Sequence, residues 1–182
     1  MHHQLRQRWL ILFIIFMLVA PLNGSFVTNA QDISGDIVFE NLRRVSPDGS
    51  SVVWVSARNY GMEDTAIWLA EANGANARKI VSGGTDYWVS NPVWSPSSNK
   101  FAYIKVFNVT DAFGQIIPRI ELWVFDLQSG SHSLLLPEIH SGLGRGGESQ
   151  VTWTALGEIT LENYSVYPSR QVTVDAETAQ TL

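Results

Sequence analysis

After residue 36 the chain consists of short apolar runs separated by polar residues, glycine and proline. The runs Val52–Val55 and Phe101–Val106 are rich in β-branched and aromatic residues, which favour extended strands. Turn-forming groups such as Pro47-Asp48-Gly49 and Asn73-Gly74 lie between such runs. After residue 30, no segment keeps a helical spacing of apolar residues over about eleven positions. The pattern therefore predicts an all-β fold of short antiparallel strands.

The same pattern recurs with a period of about fifty residues. The segment Val45–Val55 aligns with Trp94–Ile104, and the later segment Ala66–Gly74 aligns with Glu121–Gly130. A fainter third copy of both halves follows at Trp153–Leu161 and Gln171–Thr178. Self-similarity at a fixed period is the signature of repeat architectures, so we expect three copies of one structural unit.

Each unit is predicted to contain four antiparallel strands. In the second unit these strands are Asn91–Trp94, Phe101–Val106, Ile120–Phe125 and Ser133–Leu136. Four strands in a unit of roughly 40–50 residues are typical of one blade of a β-propeller. The predicted blades cover about residues 37–82, 91–137 and 148–182. A generic antiparallel sandwich is the alternative, but both halves of the unit recur in the same order, which favours blades.

The number of blades is too small for a closed ring. Residues 31–182 provide about three blades, whereas closed propellers use about four to eight. The third unit reaches Leu182 where its fourth strand would begin, and Ile37–Phe39 is a candidate for that missing strand. We therefore predict a partial propeller, which is a fragment of a longer protein, an open stack of blades, or an assembly completed by another chain.

The order of the motifs resembles a known propeller repeat. Ser46-Pro47-Asp48-Gly49 precedes a strand, and Leu122-Trp123 precedes the acid and glycine of Asp126–Gly130. This order is similar to the TolB-like repeat, also called the PD40 or WD40-like repeat, over about residues 41–182. The second copy has Ser97-Ser98 where that repeat has Asp-Gly, and the third copy lacks the proline. The resemblance implies a β-propeller that docks proteins in envelope assemblies.

The first thirty residues predict export. Met1–Arg8 contains two arginines and no acid, Trp9–Ala20 is continuously apolar, and Thr28-Asn29-Ala30 follows, an order typical of a secretory signal peptide. Twelve helical residues span about 18 Å, which is less than a hydrocarbon core of ~30 Å. We expect cleavage before Gln31 and a periplasmic or extracellular protein without a membrane span. An uncleaved N-terminal anchor is the alternative.

Composition and motifs exclude several function classes. Twelve basic against 17 acidic residues give a net charge of −5, which provides no basic surface for nucleic acid. The sequence contains no cysteine, no G-x-S-x-G nucleophile elbow and no His-x-x-x-His motif. Gly142–Gly147 matches G-x-G-x-x-G, but no helix follows to hold a dinucleotide. We predict no catalytic residue, no metal ion and no cofactor.

Repeated positions indicate packing and capping residues. Two pairs of tryptophans at equivalent positions are expected to pack between blades: Trp68 with Trp123, and Trp94 with Trp153. Two acids that recur in register with Glu71 are expected to cap the turn after each third strand: Asp126 and Asp175. His132 lies in one of these turns, where we expect it to be solvated.

A candidate binding face is formed by the connections at one end of the blades. In an up-and-down blade, the second-to-third connection and the connection to the next blade emerge at the same end, and here they are long and aromatic. Exposed aromatic residues on a rigid scaffold are typical of recognition surfaces. The predicted ligand- or partner-binding residues are Tyr60, Met62, Tyr87, Trp88, Phe113, His140 and Arg145. The alternative is that Trp88 and Phe113 are buried between blades.

The sequence thus predicts an exported, non-catalytic binding module that docks a protein or an envelope-associated ligand through this loop face. The resemblance supplies a second hypothesis, because similar repeats form the propeller that gates prolyl-oligopeptidase-like serine peptidases. On that hypothesis the chain is the N-terminal gating portion of a secreted peptidase whose catalytic domain lies outside it. A degenerate structural remnant is the third alternative.

Overall fold

The computed structural model describes residues 36–58, 64–140, 149–163 and 170–180. All regular elements in these ranges are β-strands, which confirms the predicted all-β class. Their bounds are β1 Ile37–Val45, β2 Ser51–Ala57, β3 Thr65–Glu71, β4 Arg78–Ser82, β5 Tyr87–Trp94, β6 Lys100–Thr110, β7 Ile116–Asp126, β8 His132–His140, β9 Ser149–Trp153, β10 Glu158–Asn163 and β11 Arg170–Asp175. Within these ranges we find no helix with the length and hydrophobicity that crossing a bilayer requires. The predicted signal peptide, residues 1–30, lies outside the described residues.

The strands form three antiparallel sheets, which we number along the chain. Sheet 1 contains β1 to β4 and sheet 2 contains β5 to β8, each in sequential order. Sheet 3 contains β9, β10 and β11 among the residues that the structure describes. Sequential strands joined by short turns are the arrangement of propeller blades, so the predicted blades of a partial propeller are confirmed.

Every sheet has two faces because successive side chains of a strand point to opposite sides. We call the face toward the next sheet in chain order the forward face, and the opposite face the rear face. The forward face of sheet 1 consists of Val53, Val55, Ile67 and Leu69. It packs against the rear face of sheet 2, which contains Trp94, Phe101, Tyr103 and Phe125. Each of these side chains is at most 6% exposed, so they form the first core.

A second core joins sheets 2 and 3. The forward face of sheet 2 contributes Ala102, Ile104, Leu122 and Val124. The rear face of sheet 3 contributes Val151, Ile159, Leu161 and Val174. Sheet 2 therefore lies between its neighbours and takes part in both cores.

The repeated tryptophans differ in their packing. Trp94 is 6% exposed between sheets 1 and 2, and its Nε1 donates a hydrogen bond to the Arg44 carbonyl across the two sheets (3.0 Å). Trp153 packs against the second core, and Trp123 packs against the first. These three agree with the expected packing between blades. Trp68 instead stacks on Trp54 of its own sheet, because the two residues are in register on the rear face of sheet 1.

The turns repeat their hydrogen bonds as well as their sequences. One hydroxyl in each copy accepts the backbone N–H that starts the next strand: Ser46 from Ser51 (3.0 Å), Ser95 from Lys100 (3.2 Å) and Thr154 from Glu158 (3.3 Å). The predicted caps are also observed. Asp126 accepts two backbone N–H groups of the following turn, and so does Asp175.

Two local expectations are wrong. Ile37–Phe39 does not complete the third unit, because these residues begin β1 and pair with β2 in sheet 1. The strands of sheet 2 are longer than predicted, since β5 starts at Tyr87 and the β6–β7 pairing extends to Thr110 and Ile116. Segments that the sequence presents as connections are therefore partly strand.

Candidate functional site

The predicted binding face lies partly within the described residues. Tyr60, Met62 and Arg145 lie outside the described residues. His140 ends β8, and its backbone is in register with Arg119 of β7. The candidate site is therefore built from Tyr87, Phe113 and the residues around them.

Trp88 is buried in the second core and is not an exposed loop residue. It lies in β5, is in register with Val106 and is 9% exposed. The expectation of an exposed ring is wrong because β5 already includes Trp88 and turns its side chain to the forward face of sheet 2. The alternative, burial between blades, is therefore confirmed for this residue. Its indole Nε1 has no hydrogen-bond partner among the described residues.

The β6–β7 hairpin extends beyond the rest of sheet 2. These two strands pair as far as Thr110 and Ile116. β5 pairs with β6 only as far as Phe107, and β8 pairs with β7 only as far as Arg119. The last three residue pairs of the hairpin therefore have no neighbouring strand among those described.

Phe113 is exposed at the tip of this hairpin. The Asp111 carboxylate accepts hydrogen bonds from the backbone N–H groups of Phe113 and Gln115, each at 2.8 Å. Gly114 has a φ of 77°, which glycine adopts at no steric cost. Phe113 is 88% exposed, and Ile116 beside the turn is 69% exposed. The alternative that Phe113 is buried between blades is therefore wrong, and the tip presents two apolar side chains on an ordered turn.

Tyr87 lies at the base of the hairpin. Its ring is 5.1 Å from the ring of Phe107, centroid to centroid, and its hydroxyl donates a hydrogen bond to the Ser82 carbonyl (3.1 Å). Both rings are half-buried. Tyr87 is thus held in place by sheet 1 through the hydrogen bond and by sheet 2 through the ring contact.

Two basic side chains lie over aromatic rings beside Tyr87. Lys105 Nζ is 4.1 Å from the ring centroid of Trp123 and 5.2 Å from that of Tyr87. The Arg119 guanidinium is 4.5 Å from the ring centroid of Phe107. Such cation–π contacts gain strength where the cation loses water. The rear face of sheet 2 therefore carries an aromatic–cation cluster, whose members are Tyr87, Lys105, Phe107, Arg119, Glu121 and Trp123.

Glu121 connects the cluster by hydrogen bonds. Its carboxylate accepts from Trp123 Nε1 at 2.9 Å and from Arg119 at 3.3 Å. Register places Glu121 opposite Lys105. Arg119 Nε is buried, and it has no hydrogen-bond partner in the part of the chain that the structure describes. Glu121 thus orients the side chains of Arg119 and Trp123.

Burial sets the electrostatics of the cluster. It lowers the pKa of Lys105, and the charge of Glu121 acts in the opposite direction. Beside the cluster, Tyr103 Oη lies 3.0 Å from His132 Nδ1, and burial raises the pKa of Tyr103. Burial, followed by the charge of Lys105, lowers the pKa of His132. His132 is therefore not merely solvated as expected, because its ring also packs on Phe125 (4.9 Å).

Sequence reasoning identified Tyr87 but missed the other five members of the cluster. They alternate along the two strands that flank the turn, as Lys105 and Phe107 on β6 and as Arg119, Glu121 and Trp123 on β7. The signal was the spacing of two, which places such residues on one face of a strand. Recognising this signal on both strands requires the register of β6 with β7. The sequence predicted a connection over residues 108–118, so that register was not evident.

The residue types of this site are those of a contact surface. In residues 36–58, 64–140, 149–163 and 170–180, no group of three His, Cys, Asp or Glu side chains is placed to hold a metal ion. Arginine, tyrosine and tryptophan are the residue types that contribute most to binding energy at protein interfaces. The hairpin tip and the aromatic–cation cluster together form the candidate site.

Comparison with known proteins identifies the fold. No protein-family model matches the chain, and no curated protein matches its sequence. An oligogalacturonate lyase solved with manganese aligns at a TM-score of 0.53 and 12% identity, over 73% of this chain and 32% of the lyase. A TolB-like protein of Agrobacterium tumefaciens aligns at 0.50 and 16%, over 78% of this chain and 44% of its own. A prolyl endopeptidase aligns at 0.53 and 14%, over 81% of this chain and 22% of the peptidase.

The chain therefore spans less than half the length of these proteins. At such identities the likeness concerns the fold alone. It agrees with the repeated turns, the four-stranded meanders and the packing of sheet on sheet described above. The chain has the blade fold of the TolB-like β-propellers.

Proposed function

We propose that the chain is an exported, non-catalytic binding module that docks another protein through the β6–β7 hairpin tip and the aromatic–cation cluster. The observation that carries the proposal is the exposure of Phe113 (88%) and Ile116 (69%) on one ordered turn. Adjacent apolar side chains at the end of a projecting hairpin gain free energy when a partner removes them from water.

The construction of the tip supports docking by a preformed surface. The Asp111 carboxylate fixes two backbone N–H groups of the turn, and the paired strands β6 and β7 carry the turn away from the sheet. A surface that is ordered before binding loses less conformational entropy when the partner arrives. The hairpin therefore offers Phe113 as an anchor at low entropic cost.

The aromatic–cation cluster supplies the polar part of the same surface. Tyr87, Arg119 and Trp123 are half-buried, so their outer edges remain accessible beside the hairpin. An aromatic anchor surrounded by oriented charged groups is the usual composition of an interface hot spot. The net charge of −5 favours a protein partner over nucleic acid.

The proposal includes export to the periplasm or the cell exterior. The N-terminal sequence supports export, because a basic start is followed by the apolar run Trp9–Ala20 and then by small residues before Gln31. This order is typical of a secretory signal peptide. The partner is then a secreted protein or a component of the cell envelope.

The second candidate is the gating propeller of a serine peptidase. The similarity to a prolyl endopeptidase over 81% of this chain favours it. The same fold is found at nearly the same TM-score in the lyase and in the TolB-like protein, so the fold likeness does not distinguish these roles. The binding module remains our proposal because it follows from the residues of the site.

Site-specific photocrosslinking tests the binding proposal. The full chain is produced in its source cells with p-benzoylphenylalanine at position 113, and separately at position 156. Leu156 is the matched control, since it is 83% exposed but lies in the β9–β10 turn, at the opposite end of the sheets. We expect a discrete crosslinked protein from position 113 and none from position 156.

Each outcome bears on the proposal. Loss of the crosslink after Arg119→Ala or Trp123→Ala would add the cluster to the interface. The same crosslinks from both positions, or none from position 113, would contradict docking at the hairpin tip. A crosslinked product that also reacts with a fluorophosphonate probe for serine hydrolases would favour the peptidase candidate instead.

A further inference from the structure

The aromatic–cation cluster is a positive spot on an acidic protein. Lys105 and Arg119 are its cations and Glu121 is its acid, so the cluster has one excess positive charge, whereas the whole chain carries −5. Lys105 is in register with Glu121, and Arg119 is in register with Phe107. The two cations are therefore diagonal neighbours on the rear face of sheet 2. Such neighbours lie ~7–8 Å apart, which long side chains can span.

The acid of the cluster is already engaged. Glu121 Oε1 accepts a hydrogen bond from Arg119 Nη2 (3.3 Å), and its Oε2 accepts one from Trp123 Nε1 (2.9 Å). The Glu121 side chain is only 13% exposed. In the part of the chain that the structure describes, no ion pair within 4.0 Å includes Lys105. Lys105 thus keeps a positive charge that Glu121 does not neutralise by contact.

The surroundings of Lys105 favour a negative group from outside. Lys105 is half-buried over the ring of Trp123, and burial lowers its pKa because the charged form loses water. A nearby carboxylate would stabilise this charged form. Lys79 provides the contrast, since it also lies over a tryptophan, Trp68 (5.1 Å), but is exposed to water. The need for an anion is therefore specific to Lys105.

Arg119 has donors left for the same anion. A guanidinium carries five N–H donors, and the described contacts of Arg119 use only Nη2. Its Nε has no hydrogen-bond partner among the described residues. The Phe107 ring packs against the guanidinium, while 32% of the Arg119 side chain is exposed. A planar guanidinium that is held in place suits a carboxylate, which can accept two of its N–H groups in parallel.

We propose that Lys105 and Arg119 bind an aspartate or glutamate side chain of the protein that docks at the hairpin tip, an assignment that rests on the proposed function. One negative charge matches the one excess positive charge of the cluster, whereas a phosphate would leave negative charge beside Glu121. Arg119 lies three residues beyond Ile116 on β7, a distance of about 10 Å at ~3.4 Å per residue. One partner surface of ordinary size can therefore cover the tip and place its carboxylate between the cations.

Zero-length crosslinking tests the assignment with the unmodified full chain in its source cells. A water-soluble carbodiimide joins a carboxylate to a lysine amine that it contacts, and the reagent takes up the water that is lost. Mass spectrometry then maps the amide bond. We expect a bond between Lys105 and an aspartate or glutamate of the same protein that p-benzoylphenylalanine at position 113 captures. Lys79 is the matched control and should form no bond to that protein.

Variants measure the contribution of each cation. Lys105→Met keeps the length of the side chain but removes its charge, and Arg119→Gln removes the guanidinium. We expect each to lower the yield of the crosslink from position 113 by about tenfold, because the carboxylate of the partner would lose its counter-charge. Arg119→Lys, which keeps the charge without the planar fork, should lower it less. Lys79→Met should leave the yield unchanged. Circular dichroism verifies that each variant is folded.

The outcomes separate this assignment from docking itself. A normal crosslink from position 113 in Lys105→Met and Arg119→Gln, without an amide bond at Lys105, would overturn the carboxylate site and leave docking at the tip intact. Bonds to the partner from Lys79 and Lys105 alike would also overturn it. No crosslink from position 113 in the unmodified chain would contradict docking, and the assignment with it. Should a variant fail to fold, the amide bond at Lys105 of the unmodified chain decides alone.

Discussion

The Asp48 carboxylate organises the turn between β1 and β2. It accepts hydrogen bonds from the hydroxyls of Ser46 (2.6 Å) and Ser50 (2.9 Å) and from the backbone N–H of Ser50 (3.0 Å). These bonds favour the ionised form, and the one from Ser46 contributes most to a pKa of about 2. Because the pKa in the folded state is lowered, this contribution to stability is present above the pKa of the unfolded state, near ~3.9.

We predict that Ser46→Ala raises the pKa of Asp48 toward the value of an unperturbed aspartate. The contribution of Asp48 to stability should disappear as the pH falls from about 4 to about 2, since the carboxylate then becomes protonated. Titration of the Asp48 carboxyl carbon by NMR measures the pKa directly. Asp48→Asn is the control, in which the change of stability over this pH range should be smaller. An unchanged pKa in Ser46→Ala would show that the hydroxyl contact does not exist in solution.

Individual residues were predictable where a repeated turn determines their role. Asp126 and Asp175 occupy equivalent positions, and both cap their turns as expected. Trp88 was not predictable in this way, because it follows the polar sequence Gly83–Asp86, which is typical of a connection. Its burial depends on sheet 3, which lies more than fifty residues away along the chain. Local composition does not contain that information.

At the scale of elements, the β6–β7 hairpin differs most from expectation. The segment 108–118 contains Asn108, Gly114 and Pro118, residue types that are depleted in strands. Pro118 nevertheless lies in β7, in register with Asn108 of β6. Sequence could therefore predict a turn here, but not how far the strands extend toward it.

We predict that Asp111→Ala loosens the hairpin tip without unfolding sheet 2. It removes the acceptor of the Phe113 and Gln115 backbone N–H groups, so their hydrogen exchange should accelerate by about tenfold, equivalent to ~1.4 kcal/mol. Asp111→Asn keeps an oxygen acceptor and should restore most of the protection. Asp126→Ala, which changes another turn, should leave the tip unaffected. Equal exchange at the tip in Asp111→Ala and the unmodified chain would refute the ordered turn on which the proposed docking depends.

At the scale of the whole molecule, the repeat predicted three stacked units, and sheets 1 and 2 have the predicted four strands. Two sheet faces could not be recognised in the sequence: the polar forward face of sheet 3 and the aromatic rear face of sheet 1. Thr152, Thr160 and Thr173 come from three separate strands, and only their register places them in one row. The same holds for Trp54 and Trp68, which stack because β2 and β3 align them.

The position of sheet 2 between two cores predicts that the three sheets unfold together. Ile104 is fully buried on the forward face of sheet 2, within the second core. Ile104→Ala removes buried methyl groups and leaves a cavity, so it should lower the free energy of unfolding by about 2–5 kcal/mol. Thr152→Ala, on the exposed forward face of sheet 3, should change it by less than ~0.5 kcal/mol. Urea unfolding followed by tryptophan fluorescence measures the free energy of unfolding of both variants.

Hydrogen exchange in Ile104→Ala then shows whether the sheets unfold together. If they do, core amides should exchange faster in sheet 1 as well as in sheet 3. Faster exchange in sheet 3 alone would mean that the second core opens independently of the first.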